Sequence, residues 1–145
     1  MVFPLAIRFD ALREFLFRSV LQILLNYRLS LLSQGSAGQV HAGDRLPWVA
    51  LDGADNFAPL PGLDWQVHVY GAADAELSAY CAIRKLPLRT FAWRSEHGTA
   101  GLARDALYLL RPDTYVALAD EKGAAGAIED YFAHHGIKPA PSWLA

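Results

Sequence analysis

The stretch 107-LYLLRPDTYVALAD-120 decides how this chain folds. Two apolar runs flank Arg111-Pro112-Asp113-Thr114, the only part of the stretch that is polar or rigid. Pro112 fixes φ near −65°, which suits the second position of a type I turn, and Asp113 is tolerated at the third. Arg111 and Thr114 then complete a reversal. A link this short joins only antiparallel strands, so 106–110 and 115–119 are expected to form a hairpin. No histidine or second carboxylate neighbours Arg111 or Asp113 in sequence, so acid–base chemistry there lacks a partner. The tetrapeptide reads as a turn.

Working outward, 64-DWQVHVYG-71 has strand alternation with Trp65, Val67 and Val69 on one face. Residues 74–86 have helical spacing, with Leu77, Tyr80 and Cys81 on one side and Asp74 placed to cap the N-terminus. Residues 88–93 form a second strand after Pro87, and 96–103 a loop or short helical turn. Residues 123–136 close the chain as a helix stopped by Gly136. A helix between the first two strands makes them a parallel crossover pair. The expected fold is therefore α/β: a mixed four-stranded sheet in the order β-α-β then β-β-α, which is the thioredoxin-like order.

Upstream the pattern differs. Leu5, Phe9, Leu12, Leu16, Val20 and Ile23 share one helical stripe, opposite Asp10, Glu14 and Arg18. Phe15 and Phe17 flank that stripe, which suggests a second contact surface. From Ile23 to Ser30 the period changes to that of an extended segment. The Gly-, Ser- and Ala-rich 33-SQGSAGQVHAGDRLPW-48 has no period and reads as a linker. The expected division is residues 1–45 as helical arm, extended segment and linker, and 46–145 as the folded domain.

Composition narrows the function. The 145 residues are 53% hydrophobic and 19% charged, enough for a real core. The net charge of −2 and scattered basic residues leave no nucleic-acid footprint. No apolar run reaches the ~20 residues of a spanning helix, so a cytoplasmic protein without membrane contact is expected. The single cysteine, Cys81, excludes an internal disulfide, and its place on an apolar helix face suits a small hydrophobe. A redox dithiol would sit at Gly71-Ala72-Ala73-Asp74, which has no cysteine, so disulfide exchange is excluded. His134 and His135 are adjacent on a helix and point apart, poor geometry for one metal. His41, His68 and His97 are dispersed over linker, strand and loop, with His68 facing away from Val67 and Val69 as a satisfied polar residue. Asp52, Asp55 and Asp64 lack the spacing of a cation site. Trp48, Trp65, Trp93 and Trp143 are expected mainly in the core, or at an interface. No catalytic, cofactor-binding or metal-binding residue is assigned.

The hairpin residues also carry a resemblance. 104-RDALYLLRPDTYVA-117 resembles the closing motif of the FAD-dependent aromatic-ring hydroxylases, the phenol hydroxylase and polyketide-tailoring type of flavoprotein monooxygenase. That family has Arg-Pro-Asp-Gly followed by Tyr-Val-Ala. Arg111, Pro112, Asp113, Tyr115, Val116 and Ala117 match, and Thr114 replaces the glycine. A β-branched residue disfavours positive φ, so the turn's fourth position is open to a difference in detail. Tyr27, Arg28, Ser30 and Ser33 resemble the family's exit from its flavin domain. Ala42, Gly43, Asp44, Arg45 and Pro47 resemble the entry into its C-terminal domain.

The resemblance implies the C-terminal thioredoxin-like domain with a preceding arm. It does not reach the flavin domain: Gly-x-Gly-x-x-Gly after a first strand is absent, and 35-GSAGQVHAGD-44 is the nearest glycine cluster. FAD and NAD(P)H are implied for the parent enzyme only. The chain is expected to be an accessory packing or dimerisation domain, inactive alone, docking through residues 1–32 on the parent's flavin-binding domain or on a second copy in a homo-oligomer. Two alternatives are a stand-alone binder of small aromatic molecules and a homodimerising structural protein.

Overall fold

A computed structural model describes residues 30–51, 54–57 and 64–138. The expected helix over residues 5–21, the extended segment through residue 29 and Trp143 lie outside the described residues. Among the described residues, eight strands and three helices follow in order. The strands are β1 (Gln34–Ala37), β2 (Val40–His41), β3 (Ala50–Leu51), β4 (Ala54–Asp55), β5 (Gln66–Tyr70), β6 (Leu88–Phe91), β7 (Leu107–Leu110) and β8 (Val116–Asp120). The helices are α1 (Ala75–Arg84), α2 (Ser95–Thr99) and α3 (Ala125–His135).

One mixed sheet runs β2-β1-β8-β7-β5-β6, and β3 and β4 form a separate two-stranded pair. β5 and β6 are parallel, joined across α1, and β5 pairs antiparallel with β7. The hairpin β7–β8 is antiparallel, as its short link demands. The expected four strands are thus present, but the sheet has six. β1 pairs parallel with β8, Gln34 opposite Leu118, and β2 folds back antiparallel on β1. Residues 34–41, expected as linker, therefore belong to the sheet, which extends across the expected boundary at residues 45 and 46. Their Gly- and Ser-rich sequence has little strand preference of its own. The edge of β8 supplies backbone partners that no local pattern reveals. Gly38 turns β1 into β2 at φ 62, and a Cβ there would press on the Gly101 carbonyl.

The two sheet faces differ in chemistry. On one, Val67, Val69, Leu107, Leu109 and Leu118 pack against Leu77 and Cys81 of α1 and Ile128, Tyr131 and Phe132 of α3. Trp65 closes this core, its ring 5.4 Å from Phe132. On the other, Tyr70, Tyr108, Leu110 and Val116 lie under Leu46, Val49 and Leu102. β5 is buried along its whole length. Its alternation of valine with Gln66, His68 and Tyr70 thus separates two buried faces, one apolar and one polar.

Helix ends follow the expected chemistry with one exception. Gly136 ends α3 at φ 61, and the Ile137 amide donates back to the Phe132 carbonyl. α1 ends the same way with a non-glycine residue, Lys85 at φ 55, while the Leu86 amide reaches the Cys81 carbonyl. Asp74 stands at the N-cap of α1 as expected, but its side chain makes no capping bond. Among the described residues, no helix is long and apolar enough to cross a membrane.

Candidate functional site

Arg111 and Asp113 pair with each other at 2.6 Å inside the hairpin turn. The Thr114 amide donates to the Arg111 carbonyl, and the Arg111 amide to the Tyr115 carbonyl, both at 2.9 Å. Thr114 adopts φ 71, so the link is a type I turn followed by a left-handed residue. Thr114 thus takes the positive φ that a β-branched residue disfavours. The ladder on both sides holds a conformation that threonine disfavours by roughly 1–2 kcal/mol.

The turn between β5 and α1, where a dithiol would sit, is tied down by a carboxylate. Asp105 Oδ1 accepts the Ala72 amide hydrogen at 2.7 Å, and the Asp105 amide donates to the Tyr70 carbonyl at 2.9 Å. Gly71 is needed because a Cβ there would overlap the Asp105 carboxylate. Cys81 is buried, and desolvation pushes its thiol up to about 11. The thiolate required for exchange is therefore disfavoured.

The polar face of the sheet holds a cluster that sequence reasoning did not assemble. Its donors and acceptors are set in sequence by the backbone. The Val49 amide can only donate, and it donates to Asn56 Oδ1 at 2.8 Å. The Asn56 amide nitrogen therefore faces the Pro47 carbonyl at 2.7 Å and the Tyr70 hydroxyl at 2.9 Å. The Tyr70 hydroxyl also lies 3.3 Å from His68 Nδ1, and the imidazole tautomer sets which of the two donates. His68 Nε2 is buried and has no hydrogen-bond partner among the described residues. The expectation of a satisfied His68 holds on one side of the ring only.

His97 repeats the arrangement. Its Nδ1 accepts the Arg94 amide hydrogen at 3.1 Å at the start of α2, and its buried Nε2 is also unpartnered. Both imidazoles are fully buried and pack on the Tyr70 ring, at 6.2 Å for His68 and 4.9 Å for His97. Burial, reinforced by Arg89, lowers the His68 pKa to about 3. Burial also lowers that of His97, with Glu96 opposing and Arg94 assisting. Burial raises the Tyr70 hydroxyl well above the usual phenol range. All three groups are neutral, and none is poised for proton transfer near neutrality. The alternation of Gln66, His68 and Tyr70 was the signal available in the sequence. Asn56 and His97 reach the cluster only through long-range packing.

The remaining candidates are dispersed. His41 lies near Asp44 on β2, and His134 and His135 sit edge to face at the end of α3. Asp55 anchors the exposed Trp48 indole through Nε1 at 3.2 Å. Trp93 packs on His97 at 5.6 Å. Trp48 is 58% exposed, so it is not a core residue. Among the described residues, no three His, Cys, Asp or Glu side chains converge to hold a metal ion. The glycine cluster at 35–44 forms the β1–β2 hairpin and its exit instead of opening a helix. It offers no amide cradle for a dinucleotide, and the residues of this stretch do not fit FAD.

Exposed apolar residues are spread over Leu31, Leu32, Trp48 and Ile83, and the first two are informative. Leu31 is 92% exposed, while the Leu32 carbonyl next to it accepts the Tyr131 hydroxyl hydrogen at 2.7 Å. α3 therefore fixes the point at which the preceding segment joins the sheet. Compared with protein-family models and with the curated proteins, the sequence matches none.

Proposed function

We propose that this chain is the thioredoxin-like C-terminal accessory domain of an FAD-dependent aromatic hydroxylase, and that it supplies packing surface instead of reactive groups. The observation that carries the proposal is Thr114 at φ 71. The family's turn places glycine there, and glycine is the residue that a left-handed backbone favours. This chain has a left-handed backbone at the position where the family's motif has glycine, and that supports the reading. The inner strand order β6-β5-β7-β8, with its parallel crossover and antiparallel hairpin, agrees with that fold.

In this reading FAD and NAD(P)H are held by the parent's flavin-binding domain, which would insert one oxygen atom into a phenolic or polycyclic ring. Residues 1–32 are the docking element, on that domain or on a second copy. The pinned Leu32 and exposed Leu31 supply a rigid base for it. Tagging the chromosomal copy at its C-terminus and purifying the product under native conditions tests the proposal. The expected product is several hundred residues longer than this chain and carries bound flavin. A flavin-free polypeptide of 145 residues overturns it. Saturable quenching of tryptophan fluorescence by phenol in the isolated chain would instead favour a small-aromatic binder.

A further inference from the structure

We infer that the buried His68–Tyr70–Asn56 chain and the Arg94–His97 contact together form an acid-sensitive clasp, which releases the polar face of the sheet while the α1–α3 face stays closed. The inference rests on hydrogen-bond roles. Asn56, oriented by the Val49 amide, donates to the Tyr70 hydroxyl, which lies beside His68 Nδ1. A His68 imidazolium would donate from both nitrogens, with the Tyr70 oxygen beside Nδ1 and, among the described residues, no acceptor beside Nε2. A proton added at His97 Nδ1 would confront the Arg94 amide hydrogen. Among the described residues, neither Nε2 has a hydrogen-bond partner that could share the charge.

The surroundings add no compensation at His68. Arg89 on β6 is the charged neighbour, and it opposes protonation. At His97, Arg94 opposes it and Glu96 favours it. The other titratable neighbours, Tyr70 and Tyr108, are kept protonated by burial. Tyr108 is fully engaged, accepting from the Ala103 amide and donating to the Ala37 carbonyl. Both imidazoles are buried, His68 against Tyr70 and Phe91 and His97 against Tyr70 and Trp93, so water reaches an imidazolium only after that packing opens. Opening is therefore coupled to the uptake of up to two protons. The opposite face contributes leucine, valine and ring carbons to its core, and His135 packs on the Tyr131 ring at its margin, 4.5 Å between centroids.

Hydrogen exchange of the full chain, followed by NMR from about pH 7.5 to about pH 5, reads this coupling directly. After correction for intrinsic exchange, protection of the Val49 and Arg94 amides should fall about tenfold per pH unit, well below 6.5, for each neutral histidine released. Ile128 in α3, buried in the opposite core, should keep its protection over the same range. The double variant H68N/H97N keeps an acceptor near each Nδ1 position and does not titrate, so its slope should vanish. Flat protection in the wild type, or equal loss on both faces, overturns the clasp. If the double variant does not fold, the wild-type imidazole resonances decide. His68 and His97 titrating while Val49 and Arg94 stay protected refutes the coupling, and titration in step with their release supports it.

Discussion

The Asn56 amide donates to the Tyr70 hydroxyl at 2.9 Å, linking the segment after β4 to the centre of the sheet. Neither residue chooses its role. The Val49 amide orients Asn56, and Asn56 makes Tyr70 an acceptor beside His68. One backbone N–H thus sets the roles of two side chains in a buried layer.

Asn56→Ala removes the partner of three buried polar groups at once: the Val49 amide, the Pro47 carbonyl and the Tyr70 hydroxyl. The expected loss is about 3 kcal/mol, because each unsatisfied buried group costs about 1–3 kcal/mol and the three are not additive. Asn56→Asp should not rescue it, since the second carboxylate oxygen would face the Pro47 carbonyl. Urea unfolding of the purified variants checks both.

Thr114→Gly should stabilise the protein by about 1 kcal/mol. Relief of the left-handed strain outweighs the extra freedom that glycine gives the unfolded chain. Thr114→Val should gain nothing, because it retains the branch at Cβ. A rise in the urea midpoint for the glycine variant alone is the outcome to look for.

Asp105 combines φ 61 with a side-chain bond to the Ala72 amide. Asp105→Asn preserves the oxygen acceptor and tolerates the left-handed region, so it should cost little. Asp105→Val loses both and should cost about 2 kcal/mol or more. A midpoint for Asp105→Val equal to that of Asp105→Asn would show that the latch contributes nothing.

The Cys81 thiol should be unreactive towards a disulfide reagent in the folded protein at about pH 8 and fully reactive in urea, since its pKa is raised by burial to about 11. The sign for stability follows. A folded-state pKa above the unfolded value of 9 means the contribution is present below about pH 9 and is lost as pH rises through about 11. Titrating unfolding free energy from about pH 8 to about pH 11, with Cys81→Ala as the reference, measures it.

The acid side has the opposite dependence. His68 has a folded pKa of about 3 against 6.5 when unfolded, so stability is full above 6.5 and declines as pH falls towards 3. The urea midpoint should therefore drop with acidification, and His68→Asn should flatten the decline.

Strong local signals made much of the core legible. The strand around Val67 and Val69, the helix carrying Leu77 and Cys81, and the stop at Gly136 each announce themselves within a single turn or pleat. The Pro112 hairpin does the same, because proline restricts its backbone before any tertiary contact forms. β1 and β2 were not legible. Their residues have weak strand preference and become strands only where the β8 edge offers hydrogen bonds. The polar cluster was half legible: His68 and Tyr70 share a period-2 face, but Asn56 and His97 arrive from segments with no period.

The amino-acid order alone determined the α/β alternation, the antiparallel hairpin and the lack of a thiol pair beside α1, since these depend on residue type and near-neighbour spacing. Tertiary structure decided the sixfold width of the sheet, the left-handed Thr114 and the roles of donor and acceptor under Asn56. Those depend on which backbone edges and buried groups meet across long stretches of chain, and there the cost of leaving a hydrogen bond unmade outweighs local preference.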